Sequence, residues 1–562
     1  MHRVPSRVPP PSWPRSRALA CVATFATFAV SACANAGSNP GPRTAATPKP
    51  DVPALMALSG APKDELPWAT FDDKTFAKAK AERRFVILDG AAEWCHWCHV
   101  MEATTYHDEA VREVLAKSFI ATKVDVDTRP DIEERYNAWG WPATVIFSPD
   151  GEELGKYKGY IGPEDFVAIL TQVAATRDQP AKASGTVATK RVPVLPISAD
   201  ALDIVHRFTK LELEDYWDEE EGGWGHKQKA PMMWNNEWLL ANAKAGDALA
   251  KKRVLFTLGK QRAILDPVWG GIYQYSAATN WNEPHFEKLM TWQAGALDNY
   301  ASAYALTKDP QWLAVAKGIA GYVEGFMTSR EGGFFTTQDA DLNAHDRTKP
   351  YMTGHEYYAK GDAERRALGL PRVDDHEYGR ENGLAIAAFA TFHQATGDAH
   401  ALEVATRAAD RILATHRTKS GTITHDVATA GTDVVYLADN AAMAWGLLRL
   451  HDVTSDAKWL TAAAALLDAT TKALADETGG GWFGSTEDPN AVGIFKVRRK
   501  PFEENVMALR ATVKLATKRP SPDAKRVALR ALTSIAAPED VRNRGRMVGD
   551  LLVAIEEFRA LP

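Results

Sequence analysis

The residues of this sequence most able to do chemistry are two cysteines three positions apart. Cys95 and Cys98 are separated by His96 and Trp97, and the other two of the four cysteines lie in the first forty residues. One close C-x-x-C pair stabilises a fold poorly as a disulfide but is well suited to reversible oxidation. The spacing therefore predicts a pair that is reversibly oxidised to a disulfide.

A strand and a helix must position this pair. The apolar run 84–89 ends at Asp89 and predicts a buried strand, and Cys95 follows six residues later at the start of a helical stretch. A cysteine at a helix N-terminus faces unpaired N–H groups and the positive end of the helix dipole, which favours the thiolate. We therefore expect Cys95 to be the exposed nucleophile and Cys98 to be the resolving thiol.

Three other interpretations of the motif stay open. With His99 it satisfies C-x-x-C-H, the pattern of c-type haem attachment, although predicted strands flank it. Zinc could bind through Cys95, Cys98 and either His99 or His107, but no second cysteine pair completes such a site. A purely structural disulfide is the third. We favour the redox pair, and with it no metal and no cofactor.

Strands and helices are predicted to alternate around the motif. Further strands are predicted at 120–126, 144–147 and around 156–159, and helices at 130–138 and 163–176. The resulting β-α-β-α-β-β-α unit over residues 67–178 resembles thioredoxin. The resemblance implies that Asp89 is a buried acid that helps proton transfer to Cys98, and that Pro142 is a cis-proline beside the disulfide. His96, when protonated, would stabilise the thiolate, and Trp97 completes the supporting redox site.

The N-terminus reads as an export signal. Four arginines precede the apolar stretch 18–30, which is too short to span a bilayer. The string 30–33 resembles a bacterial lipobox and predicts lipidation at Cys33, whereas Ala34-Asn35-Ala36 offers ordinary cleavage. Residues 1–36 are thus a leader, followed by a flexible linker at 37–66. We expect an exported protein, lipid-anchored in the cell envelope, or periplasmic if it is cleaved after Ala36.

After a linker at 179–200, the region 201–562 repeats two types of connection between helical stretches. Long loops carry Gly-Gly-aromatic strings, as at 222–224, 270–273, 332–334 and 480–482. Short turns between them carry an N-cap aspartate, namely Asp247, Asp309, Asp398, Asp456 and Asp523. This alternation over Ala- and Leu-rich stretches predicts about twelve helices in six hairpins, which is an all-α (α/α)6 toroid.

In such a ring, the long loops gather on one face, the natural place for a site. That face would present polar and aromatic residues: His226, Trp234, Tyr273, Tyr275, Trp281, His285, Glu287, Asp339, Asp341, Glu356, His376 and His425. We predict that Tyr275, Trp281, His285, Glu287, Asp339, Asp341 and Glu356 converge in one groove. Aromatic rings with carboxylates suit a carbohydrate. Alternatively, the loops only cover the toroid, and the aspartates bind backbone.

The composition of the chain limits the classes of partner that it is expected to bind. A hydrophobic content of 45% with 25% charged residues is typical of a globular protein. The net charge of −6 offers no basic surplus for phosphates, so nucleic acid is not an expected partner. Most of the seventeen tryptophans lie in the second half, several of them in its glycine-rich loops, where they could line a groove.

Several longer strings resemble one family. Residues 95–101 (CHWCHVM), 123–125 (KVD) and 129–131 (RPD), with 284–289 (PHFEKL) and 338–341 (QDAD) in the second half, are similar to the spermatogenesis-associated thioredoxin-like family. The resemblance implies a thioredoxin fold joined to a toroid like that of N-acylglucosamine 2-epimerases and six-hairpin glycosidases. It implies no settled substrate.

These observations favour an envelope thiol–disulfide oxidoreductase or redox sensor that acts on protein thiols or disulfides. The toroid would bind a sugar or a glycan-bearing partner, and the membrane would be reached only through the lipid anchor. The alternative is a carbohydrate-active enzyme, an epimerase or a glycosidase, with the thioredoxin-like domain as an accessory module. A third class is a non-catalytic binding protein that uses both domains as scaffolds.

Overall fold

The computed structural model describes residues 66–177, 196–346, 348–427 and 434–561. The predicted leader, including Cys33, and nearly all of the 37–66 linker lie outside the described residues, as does most of the 179–200 linker. Among the described helices, none combines the length and the apolar character that a bilayer crossing requires.

The N-terminal region is an α/β domain built around a four-stranded sheet. Its elements are α1 Asp73–Glu82, β1 Phe85–Ala91, α2 His96–Thr104, α3 Glu109–Ser118, β2 Phe119–Asp125, α4 Pro130–Tyr136, β3 Ala143–Phe147, β4 Glu153–Lys158 and α5 Pro163–Ala174. The sheet order is β2-β1-β3-β4, with β1 parallel to β2 and the other pairs antiparallel. Strand β1 is buried along its whole length, as its apolar sequence predicts, and places the cysteines at its carboxyl end. The predicted thioredoxin-like fold is confirmed.

The second region is a helical toroid. Its elements are α6 Ala199–Glu214, α7 Met233–Lys244, α8 Ala248–Gln261, β5 Tyr275–Ser276, β6 Pro284–His285, β7 Lys288–Leu289, α9 Met290–Thr307, α10 Pro310–Phe326, β8 Thr337–Gln338, α11 Gly354–Tyr358, α12 Asp362–Leu368, β9 Val373–Asp374, α13 Gly379–Thr396, α14 Ala399–Thr415, α15 Leu437–Thr454, α16 Ala457–Leu474, α17 Phe502–Lys518, α18 Pro522–Ile535, α19 Pro538–Arg544 and α20 Gly549–Arg559.

Twelve of the helices described in this region form two concentric rings. Helices α7, α9, α13, α15, α17 and α20 form the inner ring, in which each packs on the next and α20 packs on α7. Helices α6, α8, α10, α14, α16 and α18 lie outside, each against an inner helix. The predicted (α/α)6 toroid is therefore confirmed, and its first helix begins at Ala199.

The short turns between hairpin partners are capped as expected, with one exception. Asp247, Asp309, Asp398 and Asp456 each accept a backbone N–H from the first turn of the helix that they start. Asp523 instead lies within the first turn of α18, whose N-cap is Ser521.

The Gly-Gly strings make tight hairpins that are fastened to the next inner helix. Gly270 and Gly271 adopt φ values of +75° and +78°. The following residue, Ile272, is held by the Gln293 side chain of α9, through Nε2 to its carbonyl at 2.6 Å and through its own N–H to Oε1 at 2.8 Å. Asn382 and Asn505 repeat this clamp at Phe334 and Trp482. These loops cover the ends of the helices, and their aromatic residues are core.

One toroid loop fastens the two domains together. Phe495 packs against Phe71, Tyr136 and Phe147 of the thioredoxin-like domain, with ring centroids 5.5, 6.4 and 6.3 Å away. Beside it, Ile494 N donates to Gly151 O at 3.1 Å. This contact holds the start of α2 over the long-loop face of the toroid.

Candidate functional site

Cys95 and Cys98 form a disulfide at the start of α2. Cys95 is the N-cap residue, and its Sγ accepts the Cys98 N–H at 3.2 Å. The two residues are only 4% and 6% exposed. The expectation of an exposed Cys95 is therefore wrong, because the toroid covers the surface on which a lone thioredoxin-like domain would present this cysteine.

A cavity of about 640 Å³ lies between the disulfide and the toroid. Cys95 and the loop 139–141 form one wall, and the Trp141–Pro142 bond after that loop is cis, as the resemblance implied. The opposite wall contains Tyr275, His285, Glu287 and Trp292, together with the first residues of the inner helices α13 and α15. The redox motif thus faces the centre of the ring.

The cavity is aromatic, but its rings do not come from where the sequence suggested. Of the five tryptophans that line it, Trp94, Trp97, Trp139 and Trp141 belong to the thioredoxin-like domain, and Trp292 alone belongs to the toroid. Trp97 also stacks at a tilt on Tyr160, with centroids 5.7 Å apart. The expectation that loop tryptophans line a groove is wrong, because Trp224, Trp269 and Trp482 of the Gly-Gly loops are buried in the core of the toroid.

Glu287 contacts the C-x-x-C motif directly, at His96. Its carboxylate is 3% exposed, and the His96 N–H donates to Oε1 at 3.4 Å. Oε2 accepts no hydrogen bond from any described residue, since His285 Nδ1 lies 3.8 Å away. Tyr275 stacks on His285 at 4.2 Å. Burial alone would raise the pKa of Glu287, but His285 and the charge of His96 outweigh it and lower the pKa.

Asp341 organises the histidines of α2. His96 Nδ1 lies 2.7 Å from Asp341 Oδ2, His99 Nδ1 lies 3.4 Å from it, and Tyr351 OH donates to it at 3.0 Å. Burial would lower the pKa of both histidines, but the nearby carboxylates outweigh burial and raise it. The same contacts hold the pKa of Asp341 well below its usual range. The contact with Asp341 therefore favours the protonated form of His96, with Asp341 as its counter-ion.

Asp339 lies beside this pair, under the same helix. Its Oδ1 accepts the Asp341 N–H at 2.9 Å, and its Oδ2 lies 3.2 Å from His345 Nε2 and 3.7 Å from His99 Nε2. The carboxylate is 2% exposed. Asp339 and Asp341 therefore bind α2 from below and do not line the cavity.

Asp89 is buried in the sheet behind the motif. Desolvation raises the pKa of its carboxyl to about 7, although the charge of Lys123 opposes this rise. A group with this pKa can hold or release a proton near neutral pH. That property is the one that the thioredoxin resemblance requires of Asp89.

The seven residues predicted to share one groove divide into three groups. Tyr275, His285 and Glu287 line the cavity, while Asp339 and Asp341 lie under α2. Trp281 and Glu356 belong to neither place, and their prediction is wrong. Trp281 is packed in the core, where its Nε1 donates to Glu221 O at 2.9 Å, and Glu356 is an exposed residue that caps α11 through Thr353.

Several cavity residues escaped the narrower prediction. Glu381 and Asp439 line the cavity from the first turns of α13 and α15. They were not predicted because neither residue lies in a loop motif. His425, which belonged to the wider set, joins Asp439 at 3.0 Å through Nδ1 and Asp127 O at 2.8 Å through Nε2. Burial opposes protonation of His425, but Asp439 raises its pKa to about 9.

Comparison with known proteins finds a matching family and several relatives. Residues 57–186 match the family Thioredox_DsbH, described as a protein of unknown function, DUF255. Human spermatogenesis-associated protein 20 is 29% identical over 322 residues, which are 51% of this chain and 40% of that protein. The match therefore spans about two fifths of the relative. The thiol:disulfide interchange protein DsbD of Ralstonia nicotianae is 32% identical over 108 residues, 18% of each chain.

Solved toroids resemble the second region. The cellobiose 2-epimerase of Spirochaeta thermophila shares 14% of its sequence, with a TM-score of 0.48 over 64% of this chain and 97% of that chain. A likeness of this strength does not identify a substrate.

Proposed function

We propose that this chain, whose residues 57–186 match the Thioredox_DsbH family, exchanges thiols and disulfides inside the cavity between its two domains. The observation that carries this proposal is the position of Cys95 in the wall of a cavity that the toroid closes from the other side. The redox pair is therefore accessible only to a group that enters the cavity.

The reaction needs only the two cysteines and a substrate. In the reducing direction, the Cys95 thiolate attacks a substrate disulfide, forms a mixed disulfide and releases one substrate thiolate. Cys98 then attacks Cys95 Sγ, which closes the protein disulfide and releases the second substrate sulfur. Two electrons and two protons pass from the protein dithiol to the substrate, and the reverse steps oxidise a dithiol.

Neighbouring residues control the protons of this exchange. When His96 is protonated, its charge and the start of α2 favour a Cys95 thiolate, whereas the charge of Glu287 opposes it. Asp89 would take the Cys98 proton from the sheet side, as in the thioredoxin resemblance. The balance between His96 and Glu287 then determines how readily Cys95 ionises.

The cavity also limits the size and the chemical character of the substrate. A volume of about 640 Å³ accommodates a small thiol or an extended peptide segment, and its aromatic walls suit an apolar or planar group next to the sulfur. A rigid protein surface cannot approach a cysteine that is 4% exposed. We therefore infer that the substrates are small or unfolded thiols and disulfides.

A size comparison tests this proposal. The oxidised full-length protein is mixed with a short unstructured dithiol peptide or with a folded protein that carries a surface dithiol, and reduction of Cys95–Cys98 is followed by acid quench and thiol labelling. We expect the peptide to react at least about tenfold faster, because access limits exchange. Equal rates, or no reaction with either reductant, would contradict the proposal.

A cavity-filling variant provides the matched control. Ala230 lines the cavity, whereas Ala248 is an exposed residue at the start of α8. Ala230→Trp should slow the peptide reaction, and Ala248→Trp should leave it unchanged. A rate that is insensitive to Ala230→Trp would place the exchange outside the cavity.

A second candidate function is carbohydrate chemistry in the same cavity. It is favoured by two buried carboxylate oxygens, Glu287 Oε2 and Glu381 Oε2, that accept no hydrogen bond from the described residues, and by the fact that both residues line the same cavity as Tyr275 and Trp292. A Glu287→Gln protein that binds a sugar normally but fails to turn it over would support this function. Absence of sugar binding in the wild-type protein would eliminate it.

For the cellular location, we propose export with lipidation at Cys33. The arginine-rich start, the short apolar run and the lipobox-like string support it. Mass spectrometry of the mature N-terminus decides the matter. A lipidated Cys33 is the expected result, and a chain that retains Met1 would contradict export.

A further inference from the structure

Four donor atoms from both domains converge beneath the redox motif. They are His99 Nε2 and the Glu93 carbonyl oxygen from the thioredoxin-like domain, and Asp339 Oδ2 and His345 Nε2 from the toroid. The carbonyl lies 3.0 Å from His99 Nε2 and 2.7 Å from His345 Nε2, and Asp339 Oδ2 lies 3.7 and 3.2 Å from the same two nitrogens. The four atoms thus form a closed ring of short contacts.

These separations match the spacing around a bound cation. Zinc–nitrogen and zinc–oxygen bonds of about 2.0–2.1 Å in a tetrahedron put neighbouring ligand atoms roughly 3.3 Å apart. The ligand atoms of His99, Asp339 and His345 all lie within 4.8 Å of one another. We propose that these three side chains and the Glu93 carbonyl bind a divalent cation of the zinc class.

Hydrogen bonding alone leaves one of these atoms unsatisfied. Protonated imidazoles of His99 and His345 could both donate to the Glu93 carbonyl. In that arrangement Asp339 Oδ2, on a side chain that is 2% exposed, accepts no hydrogen bond within the described part of the chain. A buried carboxylate oxygen that accepts no hydrogen bond is unfavourable, and the ion pair with His345 at 3.2 Å does not supply an aligned one. A cation at the centre of the four atoms would satisfy Asp339 and both imidazoles together.

The surroundings have the features of an outer ligand shell. His99 presents Nδ1 to Asp341 at 3.4 Å while Nε2 faces the four-atom ring, and a metal-binding histidine commonly has its second nitrogen oriented in this way by a carboxylate. Asp339 is held in place through its N–H to Arg372 O at 2.8 Å and through Oδ1 to Asp341 N. Two nitrogens and two oxygens suit zinc better than calcium or magnesium, which prefer oxygen alone.

The proposed ion would connect the two domains next to the cysteines. Glu93 lies two residues before Cys95, and His99 follows Cys98 directly, while Asp339 and His345 belong to a toroid loop. Bound metal would therefore fix α2 and its disulfide against the long-loop face. It requires no redox activity, so the site can be tested independently of thiol exchange.

The test uses the full-length protein, oxidised so that Cys95 and Cys98 cannot act as ligands. After removal of metal with a chelator, Zn²⁺ is titrated in competition with a chromophoric chelator, and the melting temperature is measured with and without Zn²⁺. We expect one ion per chain and a higher melting temperature. His345→Gln and Asp339→Asn should abolish both effects, and Asp341→Asn should weaken binding about 10- to 100-fold.

Two controls keep the result specific. The residues 374–376 form the other group of three metal-binding side chains in the described ranges, so His376→Gln should leave binding unchanged. Replacing both cysteines with serine should also leave it unchanged. The proposal is overturned if the oxidised wild-type protein binds no Zn²⁺, if His345→Gln still binds it, or if His376→Gln or the double cysteine variant loses it.

Discussion

The two ends of the toroid begin their helices in different ways. At the short-turn end, five of the six outer helices are capped by their own N-cap side chain: Ser198, Asp247, Asp309, Asp398 and Asp456. At the long-loop end, none of the six inner helices has such a cap, and their N-cap residues are Met232, Leu289, Tyr378, Tyr436, Pro501 and Val548.

The uncapped end is also where carboxylates and the thioredoxin-like domain collect. Asp439, in the first turn of α15, accepts the Arg380 N–H of α13 at 2.9 Å and pairs with His425. Deeper in the ring, Arg510 is bound by Glu237 and Glu557, so its charge is fully paired. The difference teaches that the short-turn end and the ring interior serve stability, whereas the long-loop end keeps unpaired polar groups available to the cavity.

The largest expected effect is the loss of thiol exchange when a cysteine at the cavity is replaced. Cys95→Ser should reduce thiol exchange by more than about 100-fold, because the attacking thiolate is lost. Cys98→Ser should instead accumulate a mixed disulfide when it is mixed with the oxidised, disulfide form of the peptide, because Cys95 attacks that disulfide, releases one peptide thiolate and is not resolved; mass spectrometry detects the adduct. The reduced wild-type protein is the control for stability, and the melting temperature of Cys95→Ser should match it. Normal exchange by Cys95→Ser would refute the role of the cavity end.

The ring interior should show the opposite behaviour. Arg510→Met leaves Glu237 and Glu557 without their cation, which destabilises the fold. Because both carboxylates are partly exposed to solvent, we expect a loss at the low end for a broken buried ion pair, about 3 kcal/mol in the free energy of unfolding. Thiol exchange should be unchanged. The measurement is denaturant unfolding beside the exchange assay. Arg526→Met, which removes an exposed pair with Asp523, serves as the control and should change little.

The His425–Asp439 pair should make stability depend on pH. Because the pKa of His425 is raised from 6.5 to about 9 in the folded state, its stabilisation is complete below pH 6.5 and is lost as the pH rises through about 9. The loss should be on the order of 3 kcal/mol. Urea unfolding at several pH values should show this slope in the wild-type protein and a flatter one in His425→Gln. Identical slopes would show that the pair does not stabilise the fold.

The smallest effect concerns the capped end. Asp456→Ala removes the side-chain oxygen that accepts the Lys458 N–H at 2.8 Å, and should destabilise the protein by about 1 kcal/mol without changing exchange. Asp456→Ser keeps a cap and should stay within a few tenths of a kcal/mol of the wild type. If Asp456→Ala slowed exchange while Asp456→Ser did not, the two ends would be coupled and the division between them would be too simple.

Much of the fold was predictable because its signals are local. The apolar run before Cys95, the turn chemistry of the short loops and the repeated Gly-Gly strings each act through backbone geometry within a few residues. They predicted the thioredoxin-like order, the six hairpins and four of five N-cap aspartates. The disulfide between Cys95 and Cys98 was equally predictable, since a C-x-x-C spacing needs only one turn of helix.

The site was predictable only in part, because it depends on contacts between distant segments. The sequence by itself determined which residues could do chemistry, including Cys95, His285 and Glu287. It did not determine that Asp341 binds His96, a contact across 245 positions. Only the tertiary structure decided that the toroid covers the disulfide, that Trp281 is core and that the cavity tryptophans come mainly from the thioredoxin-like domain. The physical reason is that burial and charge pairing depend on how one domain packs on the other, and no local pattern records that packing.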